Sequence, residues 1–215
     1  MKTREPVGGL KWILFTWNMF LSILSAYMFY RCFENGYALR VFRELPLMEA
    51  ICRNRHFGLD EGATWTFNWM GYTKVLELVD TLFLVIRKKP VITLHWFHHL
   101  TVLLYVWGAH VFAATNSYLV FTVMNTFVHI CMYFYFAMAS IRIFFPFPHI
   151  LTAMQILQMV VGSVTVYYSW YCPEQYHMWW AGMTMYVSYF VLFSKFFYDK
   201  YTAAPLADKL KKKKK

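Results

Sequence analysis

Three histidines, His95, His98 and His99, are spaced i, i+3 and i+4. On an α-helix that spacing puts three imidazoles on one arc of roughly 100°. Packing accounts for a lone buried histidine far better than for three on one face. Two chemistries use such an array: metal ligation, and nucleophilic or acid–base catalysis by imidazole. A second group, Lys74, Glu77, Asp80 and Thr81, places a cation, two carboxylates and a hydroxyl within about 120° of one helical face. A third puts Asn125, His129, Met132, Tyr133 and Phe136 on one face, with Tyr135 beside them. A fourth is Thr152, Gln155 and Gln158. The plain structural alternatives are an ion-pair network for the second group and helix-joining hydrogen bonds for the third and fourth.

The elements carrying these groups are apolar. Of 215 residues, 59% are hydrophobic, 21% aromatic and only 15% charged. A soluble domain is nearer one-quarter charged, so that class is excluded, as are disordered chains and coiled coils. The apolar residues fall into six blocks of about 20, each enough to cross a bilayer of roughly 30 Å. The expected spans are Trp12–Tyr30, Ala63–Ile86, Thr93–Ala114, Tyr118–Ile141, His149–Tyr171 and Met178–Phe197. Pro90, Pro146, Pro148 and Pro173 punctuate the connections. The reading is an all-α integral membrane protein with one domain over 1–215 and a basic tail over 198–215. The first apolar block is too long for a cleaved signal peptide, and no internal repeat is visible.

Ionisable groups within such spans are costly and mark function or pairing inside the bundle. Formal net charge is +10. Lys2, Arg4, Lys11, Arg87, Lys88, Lys89, Arg142, Lys195, Lys200, Lys209 and Lys211–Lys215 make 15 of the 21 basic residues, and all fall on one side of a six-span topology. The loop holding Arg53 and Arg55 is nearly neutral, and the other two loops on that side have no Lys or Arg. Both termini are therefore expected in the cytosol. The charge reads as topology and attraction to anionic lipid, not nucleic acid. Lys212 and Lys213 resemble a dilysine retrieval signal for the endoplasmic reticulum. By depth, the four polar groups share the cytosolic half and midplane, which predicts one buried site open to the cytosol.

Taken together, the motifs resemble those of the fatty acid elongase family. Lys74, Glu77, Asp80 and Thr81 match its KxxExxDT, and His95, His98 and His99 its HxxHH. His129, Met132, Tyr133 and Tyr135 match HxxMYxYY, except that Phe136 replaces the last tyrosine. Thr152, Gln155 and Gln158 match TxxQxxQ. The residues around the histidine box look more like the branch for saturated and monounsaturated chains. The resemblance implies seven transmembrane helices, six of them enclosing an acyl tunnel. This chain shows six, and its start is expected to lack the peripheral first helix. The implied reaction condenses a long-chain acyl-CoA with malonyl-CoA to a 3-oxoacyl-CoA, releasing CoA and carbon dioxide, with no metal or other cofactor. Its implied setting is the endoplasmic reticulum membrane, beside the reductases and dehydratase of the elongation cycle, with a homodimer among the implied partners.

Within that reading, His98 is the expected nucleophile, flanked by His95 and His99, and His129 the acid–base or enolate-holding group. Lys74 would meet a carboxylate or phosphate. Glu77, Asp80, Asn125, Gln155 and Gln158 would orient the imidazoles. Arg87, Lys88, Lys89 and Arg142 form a basic rim for CoA phosphates. The rivals are a di-iron membrane desaturase or hydroxylase and a lipid transporter. The first needs about eight histidine ligands; the chain has eight histidines, of which only three form a box. Cys52 and Cys172 both fall on the expected lumenal side and are candidates for a disulfide.

Overall fold

The computed structural model describes residues 9–34, 37–52, 61–112, 117–172 and 176–205. Arg53, Arg55, Lys209 and Lys211–Lys215, including the dilysine pair, lie outside the described residues. The chain forms α1 (Lys11–Phe33), α2 (Tyr37–Arg43), α3 (Leu47–Cys52), α4 (Glu61–Leu76), α5 (Leu78–Ile86), α6 (Thr93–Phe112), α7 (Ser117–Ser140), α8 (Pro148–Ser169) and α9 (Tyr176–Tyr198). A π turn, Asp199–Ala203, extends α9. The described residues contain no strand. The protein is an all-α membrane protein, and α1, α7 and α8 are long and apolar enough to cross a bilayer by length and composition.

The local stops follow from sequence. Pro148 opens α8 at its first turn, where a missing N–H costs nothing. At the end of α5, Lys88 lies at φ 53°, and the Lys89 N–H reaches the Leu84 carbonyl at 2.9 Å. At the end of α7, Arg142 lies at φ 69°, and the Ile143 N–H reaches the Met138 carbonyl at 3.0 Å. Both are Schellman caps, closed here by a cation instead of the usual glycine. Each puts a positive side chain at the negative end of a helix dipole.

The expected single span Ala63–Ile86 is two helices. The ladder breaks at Glu77, where Asp80 N–H bonds back to the Glu77 carbonyl at 3.1 Å, one residue closer than α geometry. No proline or glycine stands there. The break falls at the residue whose carboxylate is drawn between Lys74 and His129. Lys74, Glu77 and Asp80 all reach α7, through Asn125, His129 and Tyr133, while Thr81 meets His95 of α6.

The rods close into a ring: α1 packs on α7, α7 on α8, α8 on α9, α9 on α6, α6 on α4, and α4 back on α1. Small residues let the rods approach. Gly162 of α8 lies under the ring of Tyr186 of α9, so any Cβ there would overlap it, and a Cβ on Gly182 would meet the Tyr105 hydroxyl at 2.8 Å. The apolar core, including Met28, Phe67, Val106, Leu119 and Tyr186, is well sealed. At the end of the ring where α8 finishes, Cys52 and Cys172 are joined by a disulfide with Cα atoms 5.1 Å apart. Cys32 and Cys131 are not joined in a disulfide.

Candidate active site

All six rods contribute to one cavity of about 810 Å³. That is at the upper end of the ~300–1,000 Å³ typical of small-molecule sites. His95, His98 and His99 of α6 line it, with Glu77 and Asp80 from the second rod. Asn125, His129, Met132, Tyr133, Tyr135 and Phe136 come from α7, and Thr152, Gln155 and Gln158 from α8. Leu14 and Asn18 of α1 and Phe193 and Phe196 of α9 complete the apolar wall. Its lining reaches Lys11, Arg87, Arg142 and Lys200, all exposed cations at helix ends, so it opens at the end opposite the disulfide.

Lys74 stands behind this wall, 1% exposed. Its ammonium donates to Glu77 Oε1 at 2.7 Å and to Asn125 Oδ1 at 2.6 Å. That second bond fixes the Asn125 amide, turning Nδ2 toward His129 Nε2 at 3.4 Å. The other ring nitrogen, His129 Nδ1, lies 3.3 Å from Glu77 Oε1. The geometry fits a neutral His129 with its proton on Nδ1 and its Nε2 accepting from the amide. Glu77 Oε2 is buried with no hydrogen-bond partner.

Asp80 is clamped from two sides. Trp17 Nε1 of α1 donates to Oδ1 and the Tyr133 hydroxyl of α7 to Oδ2, each at 2.8 Å. Thr81 lies off the cavity and meets His95 Nε2 at 2.9 Å. The His95 and His99 rings are 4.4 Å apart at their centroids, and His98 and His99 5.3 Å. The Gln155 amide N–H donates to the Met132 sulfur at 3.3 Å. Gln158 is buried on the wall. Of the expected rim, Arg87 and Arg142 line the mouth, whereas Lys88 and Lys89 do not.

Among the described residues, no group of three or more His, Cys, Asp and Glu side chains converges as metal ligands. Hydrogen bonds hold two of the four imidazoles, His95 through Thr81 and His129 through Asn125 and Glu77; imidazoles so placed can act in acid–base or nucleophilic chemistry.

Comparison with known proteins agrees in kind. The sequence profile of the GNS1/SUR4 family, ELO, matches residues 1–214. The chain belongs to the GNS1/SUR4 family. Very long chain fatty acid elongase 4 of Trypanosoma cruzi (strain CL Brener) is 38% identical over 210 residues, covering 92% of this chain and 71% of its own length. Fatty acid elongase 3 of Trypanosoma brucei brucei (strain 927/4 GUTat10.1) is 44% identical over 140 residues, 60% of this chain and 46% of its own length. Very long chain fatty acid elongase 6 of Gallus gallus is 34% identical over 198 residues, 87% of this chain and 72% of its own length. The chain thus spans about half to three-quarters of these relatives. No solved structure matches it.

Within this GNS1/SUR4 chain, the sequence motifs omit several residues that shape the site. Trp17 holds Asp80, Phe193 packs against the His98 ring, and Lys11 and Lys200 stand at the mouth. The two cations could be read from their places just outside apolar blocks. Trp17 and Phe193 could not be told from the other aromatics of a membrane protein.

Proposed function

We propose that this protein carries out the condensing step of fatty acid elongation, joining a long-chain acyl-CoA to a two-carbon unit from malonyl-CoA. The observation that carries the reading is a single apolar cavity with four imidazoles inside and four cations at its mouth. The names of its relatives support fatty acid elongation as the process. The apolar wall suits an alkyl chain, and the cationic mouth suits the phosphates of CoA.

His98 is the nucleophile in this reading. His95 and His129 have ring nitrogens engaged by Thr81, Asn125 and Glu77, while among the described residues no protein hydrogen bond holds the rings of His98 or His99, and of these two His98 is the central member of the box. An imidazole nitrogen attacks the thioester carbonyl, the carbon–sulfur bond breaks, and the imidazole proton goes to the departing thiolate as CoA. Malonyl-CoA then loses carbon dioxide, and its enolate carbon attacks the acyl-imidazole. The 3-oxoacyl-CoA leaves, and His98 takes up one proton. His129, with His95 and His99 nearby, moves protons or holds the enolate oxygen. No metal or other cofactor takes part.

The six rods would all cross the endoplasmic reticulum membrane, with both termini and the cavity mouth in the cytosol. Saturated or monounsaturated chains would be the substrates, and the reductases and dehydratase of the cycle would act on the product. Purified protein incubated with malonyl-CoA and saturated acyl-CoAs of graded length tests the reading. Products two carbons longer by mass support it. A protein that binds or moves acyl-CoA without forming 3-oxoacyl product is a transporter. Oxidised or desaturated product with stoichiometric iron would assign it to di-iron chemistry.

A further inference from the structure

A nucleophilic imidazole must be held at a fixed angle, and the His98 ring has no hydrogen bond of its own to hold it. Its surroundings come from α9. The ring of Tyr189 lies 4.9 Å from the His98 ring, and that of Phe193 meets it edge-on at 6.1 Å. Tyr189 is itself anchored. Thr101 Oγ1 donates to the Phe97 carbonyl at 2.6 Å, which leaves its oxygen to accept from the Tyr189 hydroxyl, also at 2.6 Å. The hydroxyl's one proton also faces the His98 carbonyl at 3.1 Å and is shared between the two acceptors. Tyr189 is 2% exposed and is not part of the cavity lining.

We infer that Tyr189, locked by Thr101, is the positioning residue for His98: it pins the turn of α6 carrying the histidine box and sets the plane of the reactive imidazole from behind the cavity wall. This rests on the reading of His98 as the nucleophile. The hydroxyl fixes the Tyr189 ring, and the ring fixes the imidazole. A misplacement of ~1 Å at a reacting group can cost ~100-fold in rate. A single neutral hydrogen bond further back costs less, on the order of 3–10-fold. Because Tyr189 does not touch the cavity, acyl-CoA binding should not depend on it.

The test is CoA release from palmitoyl-CoA by the full purified chain in a single turnover, without malonyl-CoA. Both Tyr189→Phe and Thr101→Val remove the Thr101–Tyr189 bond, and Tyr189→Phe also removes the contact with the His98 carbonyl. Each should slow release about 3–10-fold, with KM for palmitoyl-CoA unchanged. The double variant should be no slower than Tyr189→Phe alone, because the bond to Tyr189 that Thr101→Val deletes is already lost there. Tyr189→Leu, which also removes the ring, should slow release by ~100-fold. If Tyr189→Leu does not fold, the two conservative variants and their double carry the test alone. Additive effects of those two, or a raised KM with an unaltered single-turnover rate, would overturn the inference. His98→Ala is the separate control. If it still releases CoA from palmitoyl-CoA at the normal rate, the nucleophile reading fails, whatever Tyr189 does.

Discussion

The ammonium of Lys74 lies 2.7 Å from the carboxylate of Glu77, and both side chains are almost fully buried. Neither charge touches water, so each exists for the other and for the groups they orient. Removing one partner leaves an uncompensated buried charge, at a cost of about 3–5 kcal/mol. Lys74→Met should therefore lower thermal stability sharply in detergent. The double variant Lys74→Met with Glu77→Leu should recover much of that loss while staying inactive, since His129 and Asn125 are left without their positioners. A double variant as unstable as the single one would show that the charges are not coupled.

The clamp on Asp80 gives a second expectation. Trp17→Phe and Tyr133→Phe each delete a 2.8 Å hydrogen bond to the same carboxylate. Bonds to a charged acceptor are worth about 1.5–3 kcal/mol. Each variant should lose stability on that scale in unfolding experiments, and activity should fall because Asp80 sits on the cavity wall. Equal stability in Trp17→Phe and the parent would mean that α1 does not brace the second rod through this contact.

Much of this site is legible in the sequence. Charged and imidazole groups inside apolar blocks stand out against their neighbours, and helical spacing alone collects His95, His98 and His99 on one arc. What stays hidden has a common cause. The break at Glu77 falls between Leu76 and Leu78, good helix formers with no local stop signal, so propensity gives no sign of it. Tyr189 is one of 16 tyrosines in a chain that is 21% aromatic, and only its contacts with Thr101 and His98 separate it from the rest. The ring order, in which the first rod packs on α7, depends on contacts remote in sequence.

The disulfide makes a contrasting prediction, since it sits at the end away from the mouth. It joins residues 120 apart in sequence. In an unconstrained chain a loop of about 100 residues gives roughly 4–5 kcal/mol; helices that persist in the membrane after unfolding reduce that. Reduction, Cys52→Ser and Cys172→Ser should each lower the melting temperature, and the double variant no further than either single one. Activity of the folded fraction should persist. Intact mass should rise by two hydrogen atoms on reduction; an unchanged mass would rule out the bridge.

Gly162 tests the packing. Any side chain there would overlap the Tyr186 ring, which sits fully buried between α8 and α9. Overpacking of this kind costs about 1–3 kcal/mol. Gly162→Ala should destabilise the protein by at least that much in thermal unfolding. Gly162→Ala with Tyr186→Phe should stay destabilised, because the ring remains. Combining it with Tyr186→Leu should restore part of the loss. A neutral Gly162→Ala would mean that the two helices can separate without cost.

The cavity mouth makes the last prediction. Lys11, Arg87, Arg142 and Lys200 come from four different rods and meet at one opening, all exposed. Asp199, next to Lys200, is engaged with Lys195 at 2.7 Å and does not line the opening. Among the described residues, no carboxylate pairs with these four cations, so the opening presents positive charge to anything entering it. Exposed charges of this kind act over a screening length of about 8 Å at physiological ionic strength. KM for an acyl-CoA should rise with added salt, with turnover at saturation little changed. Arg142→Ala and Arg87→Ala should raise KM and flatten its salt dependence, because a cation that recognises phosphate is then missing. Lys195→Ala combined with Asp199→Ala should do neither, since it removes a mutually neutralising pair off the cavity. The same series run with acyl-pantetheine thioesters, which lack the nucleotide phosphates, should show no salt dependence in any variant. Equal salt dependence for the CoA and pantetheine thioesters would place CoA phosphate recognition elsewhere.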